Sequence, residues 1–509
     1  MFNYYKNKLL AYQQSKISST TSPSPLETKA LSLNLKDNLD TLKQLYHNSS
    51  DLVIKQLTVN GQELAIISIE SMINFQLATD MFLEPLMDYV NKNQDPNDLF
   101  TYMSDNITLG TNIIQIEKYE DVFQNIMSGS AVILLNNYPS GLAFNAVGYA
   151  YRSVGEPSGE VNLRGSREGF TEVIRLNMTM IRRRLKTPDL KFELMKCGTK
   201  SKTDICIMYM NDKVNHQFVA QIKEKLRQIK LDDILDSGYI QPFLEGKPFS
   251  IFSDVGTTER PDTMCAKLSE GRIGILVDGT PFALITPYFF TDNFQNFDDY
   301  CNRPYFVFPN RLLKYIAFFI TILLPGTYVA LGNFHLEMFP HALLYTIATS
   351  QETTAFPLLY QAIIIAFIYE IMSEAGLRLQ RPIGSAVSII GALVIGDAAV
   401  SAGLIGSPMV MIIALTAITA FVVPTLHQPL IILRFGFIIL GGTLGLFGII
   451  LGCCALLLNI CALENNGYLY SSPLSPLDPN ALKDVILKVS WKYMNKKTDS
   501  INDDQDKKG

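Results

Sequence analysis

The chain has 509 residues, of which 48% are apolar and 18% are charged, and its formal net charge is -5. An ordinary soluble protein contains roughly 25% charged residues. This composition excludes a disordered chain, a collagen and a disulfide scaffold, and the acidic balance argues against a nucleic-acid-binding protein.

The basic residues are distributed unevenly along the chain. Between Leu312 and Asn480 they are limited to Lys314, Arg378, Arg381 and Arg434. A long stretch with so few charges is typical of membrane-spanning helices. The sequence therefore predicts a polar soluble part followed by an apolar membrane part.

The amino-terminal segment, residues 1–30, is polar and contains a Ser/Thr/Pro run, which predicts a flexible tail. It has no long apolar stretch of the kind found in cleavable signal peptides, so we expect the soluble part to stay in the cytoplasm. The seven cysteines form no CxxC pair, and we expect neither structural disulfides nor a zinc site.

The soluble part is predicted to form two small α+β subdomains, at residues 31–155 and 156–305. In the first, apolar residues at helical spacing predict a helix over Leu31–Tyr46. Asn60-Gly61 lies between two β-rich runs and predicts a β-hairpin.

The second subdomain shows the same mixture of signals. Apolar spacing predicts helices over Glu168–Leu185 and Val214–Ile229, and Asp278-Gly279 predicts another hairpin. The first of these helices ends in Arg182-Arg183-Arg184. Such a cluster fits either a contact with an anion or lipid headgroup, or a solvated helix end whose cations offset the dipole, and we favour the second interpretation.

No catalytic motif occurs in the soluble part. The sequence contains no GxGxxG after a strand, no Walker A loop, no HExxH and no GxSxG. We therefore predict no catalytic, cofactor-binding or metal-binding residues and expect a protein that is not an enzyme.

Five apolar segments predict an all-α polytopic membrane domain over residues 310–465, with four to six crossings. These segments are Leu312–Gly332, Phe356–Met372, Ile383–Leu404, Met409–Val423 and Pro429–Leu463. The last segment is long for one helix and short for two, so it is either one tilted helix or a pair broken at Gly441-Gly442. Residues 466–509 are rich in lysine and predict a cytoplasmic tail, hence an even number of crossings.

The third apolar segment has a stripe of small residues. The stripe consists of Gly384, Ser388, Ala392 and Gly396, and Asp397 follows it directly. Small residues at this spacing let helices approach closely, and a carboxylate at membrane depth usually faces a partner or water.

The remaining ionisable candidates in the membrane part are Glu370 and Arg434. The stripe, Asp397 and Glu370 fit an ion pathway, but they also fit helix packing with acidic residues at helix ends. For Glu370, near the end of its segment, we favour the helix-end interpretation.

Several longer motifs resemble the A subunits of the GerA family of bacterial spore germinant receptors. In the soluble part they are GSREGFTEVIRLNMTMIRRRL (165–185), SKTDICIMYM (201–210), DILDSGYI (233–240), TERPD (258–262) and EGRIGILVDGTPF (270–282). In the membrane part and tail they are HLEMFP (335–340), RPIGSAVSIIGALVIGDAAVSAG (381–403), YLYSSPLSP (468–476) and LKDVILKV (482–489). Departures from the family pattern occur at Gln351, Ala355, Gln380 and Ser385.

The resemblance implies a non-enzymatic receptor subunit of the spore inner membrane, without a cofactor. Its expected partners are a transporter-like B subunit, a lipoprotein C subunit, membrane lipid and further copies of itself. Copies of the chain are expected to oligomerise into a ligand-gated cation channel with the B and C subunits. The family-motif residues of the soluble part are Arg167, Glu168, Arg182, Arg183, Arg184, Glu259, Arg260 and Asp262. The alternatives are a paralogue of the SpoVAF type that works with a dipicolinate channel, and a secondary transporter.

Overall fold

The computed structural model describes residues 29–378, with gaps at 71, 75, 77–78, 80–85, 91–98, 107–112, 149–156, 158, 161 and 163, and then residues 396–476 and 484–485. The predicted tail at residues 1–28 lies outside this description. So do Gly384, Ser388 and Ala392 of the predicted small-residue stripe.

The soluble part contains two five-stranded antiparallel sheets flanked by short helices. The strands of the first sheet are β1 (Leu52–Val59), β2 (Gln62–Ile69), β3 (Ile114–Ile116), β4 (Ser130–Leu135) and β5 (Gly141–Asn145). Those of the second are β6 (Leu190–Cys197), β7 (Thr203–Met210), β8 (Gly256–Thr258), β9 (Ile273–Val277) and β10 (Ala283–Thr286). The helices are α1 (Leu35–Leu45), α2 (Leu99–Asn106), α3 (Tyr119–Ile126), α4 (Ile174–Arg184), α5 (His216–Arg227), α6 (Gln241–Leu244), α7 (Pro261–Ser269) and α8 (Phe297–Cys301). The predicted α+β class is confirmed.

The two sheets have the same strand order. The first runs β1-β2-β4-β5-β3 and the second β6-β7-β9-β10-β8, so each central strand occupies the same place in its sheet. The central strands β4 and β9 are buried along their whole length, because helices cover both faces. Both predicted hairpins form, at Asn60-Gly61 between β1 and β2 and at Asp278-Gly279 between β9 and β10.

A buried asparagine occupies the same position in each half. The Oδ1 atom of Asn38 accepts the Ser32 N–H at 2.8 Å, and that of Asn177 accepts the Thr171 N–H at 2.8 Å. Each asparagine also donates to the carbonyl of the same residue, six positions upstream. The shared strand order and these matching contacts show that the soluble part contains one structural unit twice.

The helix predicted over Glu168–Leu185 is shorter in the structure. α4 begins at Ile174, because the Asn177 side chain bonds both backbone groups of Thr171, while the Phe170 N–H bonds the Glu259 carbonyl. These bonds hold the chain extended before the helix.

The membrane part is helical. Its helices are α9 (Pro304–Phe334), α10 (His341–Glu352), α11 (Leu358–Arg378), α12 (Ser407–Ala420) and α13 (His427–Ala462), with a further helical stretch at residues 396–401. Among the described residues, three helices are long and apolar enough to cross a membrane: those at Pro304–Phe334, Leu358–Gly376 and Pro424–Ala462. Two short strands, β11 (Glu464–Asn465) and β12 (Tyr468–Leu469), follow α13.

α13 reverses direction at Gly445 instead of crossing once. Gly445 has φ +65° and ψ -147°, a conformation essentially restricted to glycine. A methyl group placed on Gly452 would lie 2.7 Å from the Phe437 ring, whereas fifteen residues of straight helix separate two positions by about 22 Å. α13 is therefore a hairpin of two antiparallel halves, and the break lies at Gly445, three residues beyond the predicted Gly441-Gly442.

Both ends of the α13 hairpin lie against the second sheet unit. Thr425, just before the hairpin, donates to the Asn293 carbonyl at 3.3 Å, and Lys247 donates to the Ala462 carbonyl at 2.5 Å. Tyr468, beyond the hairpin, stacks edge-on against Phe218 of α5, with ring centroids 5.0 Å apart. We call this end of the membrane helices the sheet-proximal end and the opposite end the sheet-distal end.

Candidate functional site

An ion pair lies between two membrane helices. Glu370 of α11 pairs with Arg434 of the first half of α13, and the Arg434 guanidinium lies 5.3 Å from the centre of the Tyr369 ring. Arg434 is almost completely buried. A charge at membrane depth is costly unless it is neutralised. The pairing of Glu370 with Arg434 therefore explains how both charged residues are tolerated between membrane helices.

The position of Glu370 differs from the predicted helix end. α11 continues for eight residues beyond it, to Arg378, and includes the polar residues Ser373 and Glu374. Glu370 therefore faces another helix inside the bundle, and the helix-end interpretation is wrong for this residue.

Asp397 lies on the helical stretch 396–401 and is exposed on the surface of the single chain. Its neighbour Gly396 is buried. A methyl group placed on Gly396 would lie 3.5 Å from Val410 of α12, an ordinary van der Waals contact. Gly403, at the end of this stretch, bonds through its carbonyl to the Ala355 N–H at the sheet-distal end. The stretch thus packs one face on α12 and presents its carboxylate outward.

Glycines bring α9 and the α13 hairpin into backbone contact. A methyl group on Gly441 would overlap the Gly326 carbonyl, and one on Gly326 would overlap the Phe437 carbonyl. Only glycine fits this crossing, as is common where membrane helices approach closely.

Most family-motif residues of the soluble part form a clamp around the segment that leads into the second sheet. Glu168 accepts from Arg183 at 2.5 Å and from Arg184 at 2.7 Å. Burial opposes the ionised form of Glu168, but the hydrogen bonds from Arg183 and Arg184 prevail and lower its pKa. Arg167, by contrast, is exposed.

The second part of the clamp centres on Arg260. Its guanidinium bonds Asp262 at 2.6 Å and the Ser166 carbonyl at 2.8 Å, while the Glu259 carboxylate accepts the Gly159 N–H at 3.1 Å. These residues hold the segment before α4 on the second sheet unit, and their contacts are internal.

Arg182 joins the two sheet units. It is fully buried and bonds Asp51, which precedes β1, at 2.8 Å. Its guanidinium also lies 4.7 Å from the centre of the Phe192 ring. Neither interpretation of the arginine cluster fits Arg182, because it is neither solvated nor open to an anion.

A charged cluster at the start of α9 was not predicted. Asp292 accepts from Arg272 at 2.5 Å and from Lys267 at 2.7 Å, and these two cations overcome its burial and hold its pKa well below the usual range. The sequence signal is three aspartates, Asp292, Asp298 and Asp299, shortly before a long apolar helix.

The same cluster includes the tail. Asp299 accepts from Arg311 of α9 at 2.9 Å, and Arg311 also pairs with Asp484 at 3.4 Å. Tyr300 donates to Asp484 at 2.9 Å. The cluster therefore ties the second sheet unit, the first membrane helix and the tail together at one point.

Comparison with known sequences defines the family. The family model described as "Bacillus/Clostridium GerA spore germination protein" matches residues 40–500. The chain belongs to the GerA family.

Relatives of known name span almost the whole chain. It is 37% identical over 481 residues to spore germination protein KA of Bacillus subtilis (strain 168), covering 93% of this chain and 87% of that protein. Two further proteins of the same organism are the uncharacterized membrane protein YfkQ (36% identity, 95% and 94% coverage) and spore germination protein B1 (33%, 93% and 98%). These similarities support a role for this GerA-family chain in spore germination.

A solved structure is also similar. It is the N-terminal domain of the A subunit of the Bacillus megaterium spore germinant receptor GerK3, with 32% identity and a TM-score of 0.42. The match covers 52% of this chain and 98% of that domain.

Proposed function

We propose that this GerA-family chain is the A subunit of a germinant receptor in the spore inner membrane, with its sheet units in the cytoplasm. In this proposal several copies assemble with a transporter-like B subunit and a lipoprotein C subunit. Nutrient binding then opens a path for monovalent cations, and the chain itself catalyses no reaction. Family membership and the apolar helices support this assignment.

The exposed carboxylate of Asp397 is the observation that favours a channel. It lies on a helix that packs among membrane helices, where contact with hydrocarbon would cost several kcal/mol. A second copy or a water-filled path next to Asp397 removes this cost. The Glu370–Arg434 pair is buried within one chain, so we assign it to holding α11 against α13 and assign Asp397 to the path.

Cation flux through the reconstituted receptor tests the role of Asp397. We expect Asp397→Asn and Asp397→Ala to lower flux about tenfold, the effect of roughly 1.4 kcal/mol lost where a fixed negative charge attracts cations. The matched control is Glu337→Gln, which removes an exposed carboxylate near the end of α9. Unchanged flux in both Asp397 variants, at normal protein levels, would contradict the channel role.

A further inference from the structure

A loop of the second sheet unit lies along the last turn of the α13 hairpin. Lys247 donates to the Ala462 carbonyl at 2.5 Å, and the Ser250 hydroxyl donates to Asn459 Oδ1 at 3.3 Å. A methyl group on Gly246 would overlap the Glu464 carbonyl. As the loop proceeds from 246 to 250 it therefore moves along the helix from residue 464 to residue 459, toward the membrane part.

Two phenylalanines of this loop have opposite environments. Phe252 is 2% exposed and packs edge-on against Phe290, with ring centroids 5.9 Å apart. Phe249 is 102% exposed, although both flanking bonds fix the loop in place. Phe252 thus anchors the loop in the protein, and Phe249 projects away from it.

The neighbouring residues of α13 show where Phe249 lies along the axis of the membrane helices. Leu457 and Leu458, on the same helical turn as Asn459, are 58% and 70% exposed, as expected for side chains that face lipid. At 1.5 Å per residue, Asn459 lies about 5 Å from the end of the helix at Ala462. Phe249 is therefore level with the boundary between the apolar helix surface and the sheet unit.

A second exposed aromatic residue lies at the sheet-proximal end of the membrane helices. Phe421 follows α12 with 67% exposure. Aromatic side chains concentrate at the level of lipid headgroups in membrane proteins. Lys247 adds a cation beside Phe249, and lysines at this level interact with lipid phosphates.

We propose that residues 245–251 form a membrane-surface anchor, in which Phe249 enters the headgroup region of the leaflet next to the sheet units. The partner is the phospholipid bilayer itself. The anchor fixes the second sheet unit at a set height and makes its orientation depend on the lipid surface as well as on the α8–α9 connection. It is independent of the proposed channel and of the other receptor subunits.

Fluorescence quenching tests the anchor in the full chain reconstituted into phosphatidylcholine–phosphatidylglycerol vesicles. The only native tryptophan is removed by Trp491→Phe, and Phe249→Trp then places a single indole in the loop. The matched control is Phe282→Trp, an exposed position before β10. About six residues of extended chain, roughly 20 Å, separate Phe282 from Tyr288, whose N–H bonds the Asp254 carbonyl just beyond the loop.

We expect lipids brominated on the acyl chains to quench the indole of the Phe249→Trp variant severalfold more than that of the Phe282→Trp variant. Aqueous acrylamide should give the opposite order. Equal acrylamide quenching in both variants, with no lipid quenching at position 249, would overturn the anchor. Shielding of position 249 from both quenchers would also overturn it, because a protein surface would then cover the loop.

Discussion

Charged side chains in this protein differ mainly in how deeply their pairs are buried. The Asp51–Arg182 pair is almost inaccessible, with side-chain exposures of 3% and 1%, whereas Glu168 and Arg183 retain 33% and 24%. Burial makes the loss of one partner costly, because the other charge remains in a medium of low polarity. Exposed pairs contribute little, since water and salt screen them.

Arg182→Met is expected to destabilise the soluble part by about 3–5 kcal/mol, because Asp51 is left buried without a counter-charge. The double variant Arg182→Met/Asp51→Leu should cost distinctly less, and Arg183→Gln, at a half-buried pair, about 0–1 kcal/mol. Denaturant unfolding of the full chain, followed by a probe in the sheets, measures all three. Equal losses in the single and double variants would contradict the pairing.

Glu160 makes the clamp segment sensitive to pH. Its carboxylate accepts from the Thr258 hydroxyl at 2.8 Å, and burial raises its pKa from 4.5 to about 7. A raised carboxyl pKa stabilises the protonated folded form, so this contribution is complete below about pH 4.5 and is lost as the pH rises through about 7.

Hydrogen exchange around Glu160 should therefore become faster between about pH 5 and about pH 8, after correction for the intrinsic pH dependence of exchange. The Glu160→Gln variant has no titrating carboxyl and should lack this corrected increase, while keeping a hydrogen bond to Thr258. The same corrected pH profile in both proteins would rule out Glu160 as the source.

At the scale of single elements, the reversal of α13 decides the architecture of the membrane part. Its halves, residues 427–444 and 446–462, are about 27 and 25 Å long at 1.5 Å per residue. Each is near the lower limit for crossing a bilayer, so the hairpin provides two short crossings where one long helix had been an option.

Gly445→Ala tests this reversal. The added methyl group would occupy a φ of +65° and lie 3.1 Å from the Phe334 ring, so we expect a loss of about 1–3 kcal/mol. Gly436→Ala on the same element meets no atom within 4 Å and should be neutral or stabilising by up to about 1 kcal/mol. Thermal inactivation of the purified protein in detergent compares the two, and equal behaviour would contradict a sharp turn at Gly445.

Local signals predicted the elements well where they acted over a few residues. Asn60-Gly61 and Asp278-Gly279 turn the chain almost independently of their surroundings, and both hairpins formed. The start of α4 depends instead on Asn177 reaching back to Thr171, and the break in α13 falls at Gly445, where an added methyl group would meet Phe334. The exact residue at which a helix starts or breaks depends on contacts that exist only in the folded protein, so the sequence pattern alone does not predict it.

The candidate site shows the same division. Composition indicated that Glu370, Asp397 and Arg434 are unusual, because any charge in an apolar run is unusual. It did not reveal that Glu370 and Arg434 pair, since 64 positions separate them and only the packing of α11 on α13 brings them together. The repeated sheet unit also escaped prediction, because strand order is not visible in the sequence.

At the scale of the whole molecule, the sheets and the described tail residues share one end of the membrane helices. Arg311 pairs with Asp484, and both ends of the α13 hairpin contact the second sheet unit. This arrangement agrees with the even number of crossings expected from the lysines of the tail.

We therefore expect reporters fused at Met1 and at Gly509 to lie on the same side of the membrane. A cysteine at Thr443, exposed beside the Gly445 turn, should react with an impermeant maleimide from the opposite side only, in a background without native cysteines. Labelling of Thr443→Cys from the side of the termini would mean that the hairpin enters and leaves without crossing.

The contact between Tyr468 and Phe218 has a consequence for biosynthesis. The ribosome completes the ten strands of the two five-stranded sheets and the described membrane helices before it makes the tyrosine that covers this face of α5. A chain truncated after Ala462 would leave Phe218 partly uncovered and Arg311 without Asp484. A chain that stops before Tyr468 therefore exposes part of an apolar face of α5, and exposed apolar surface of this kind promotes aggregation.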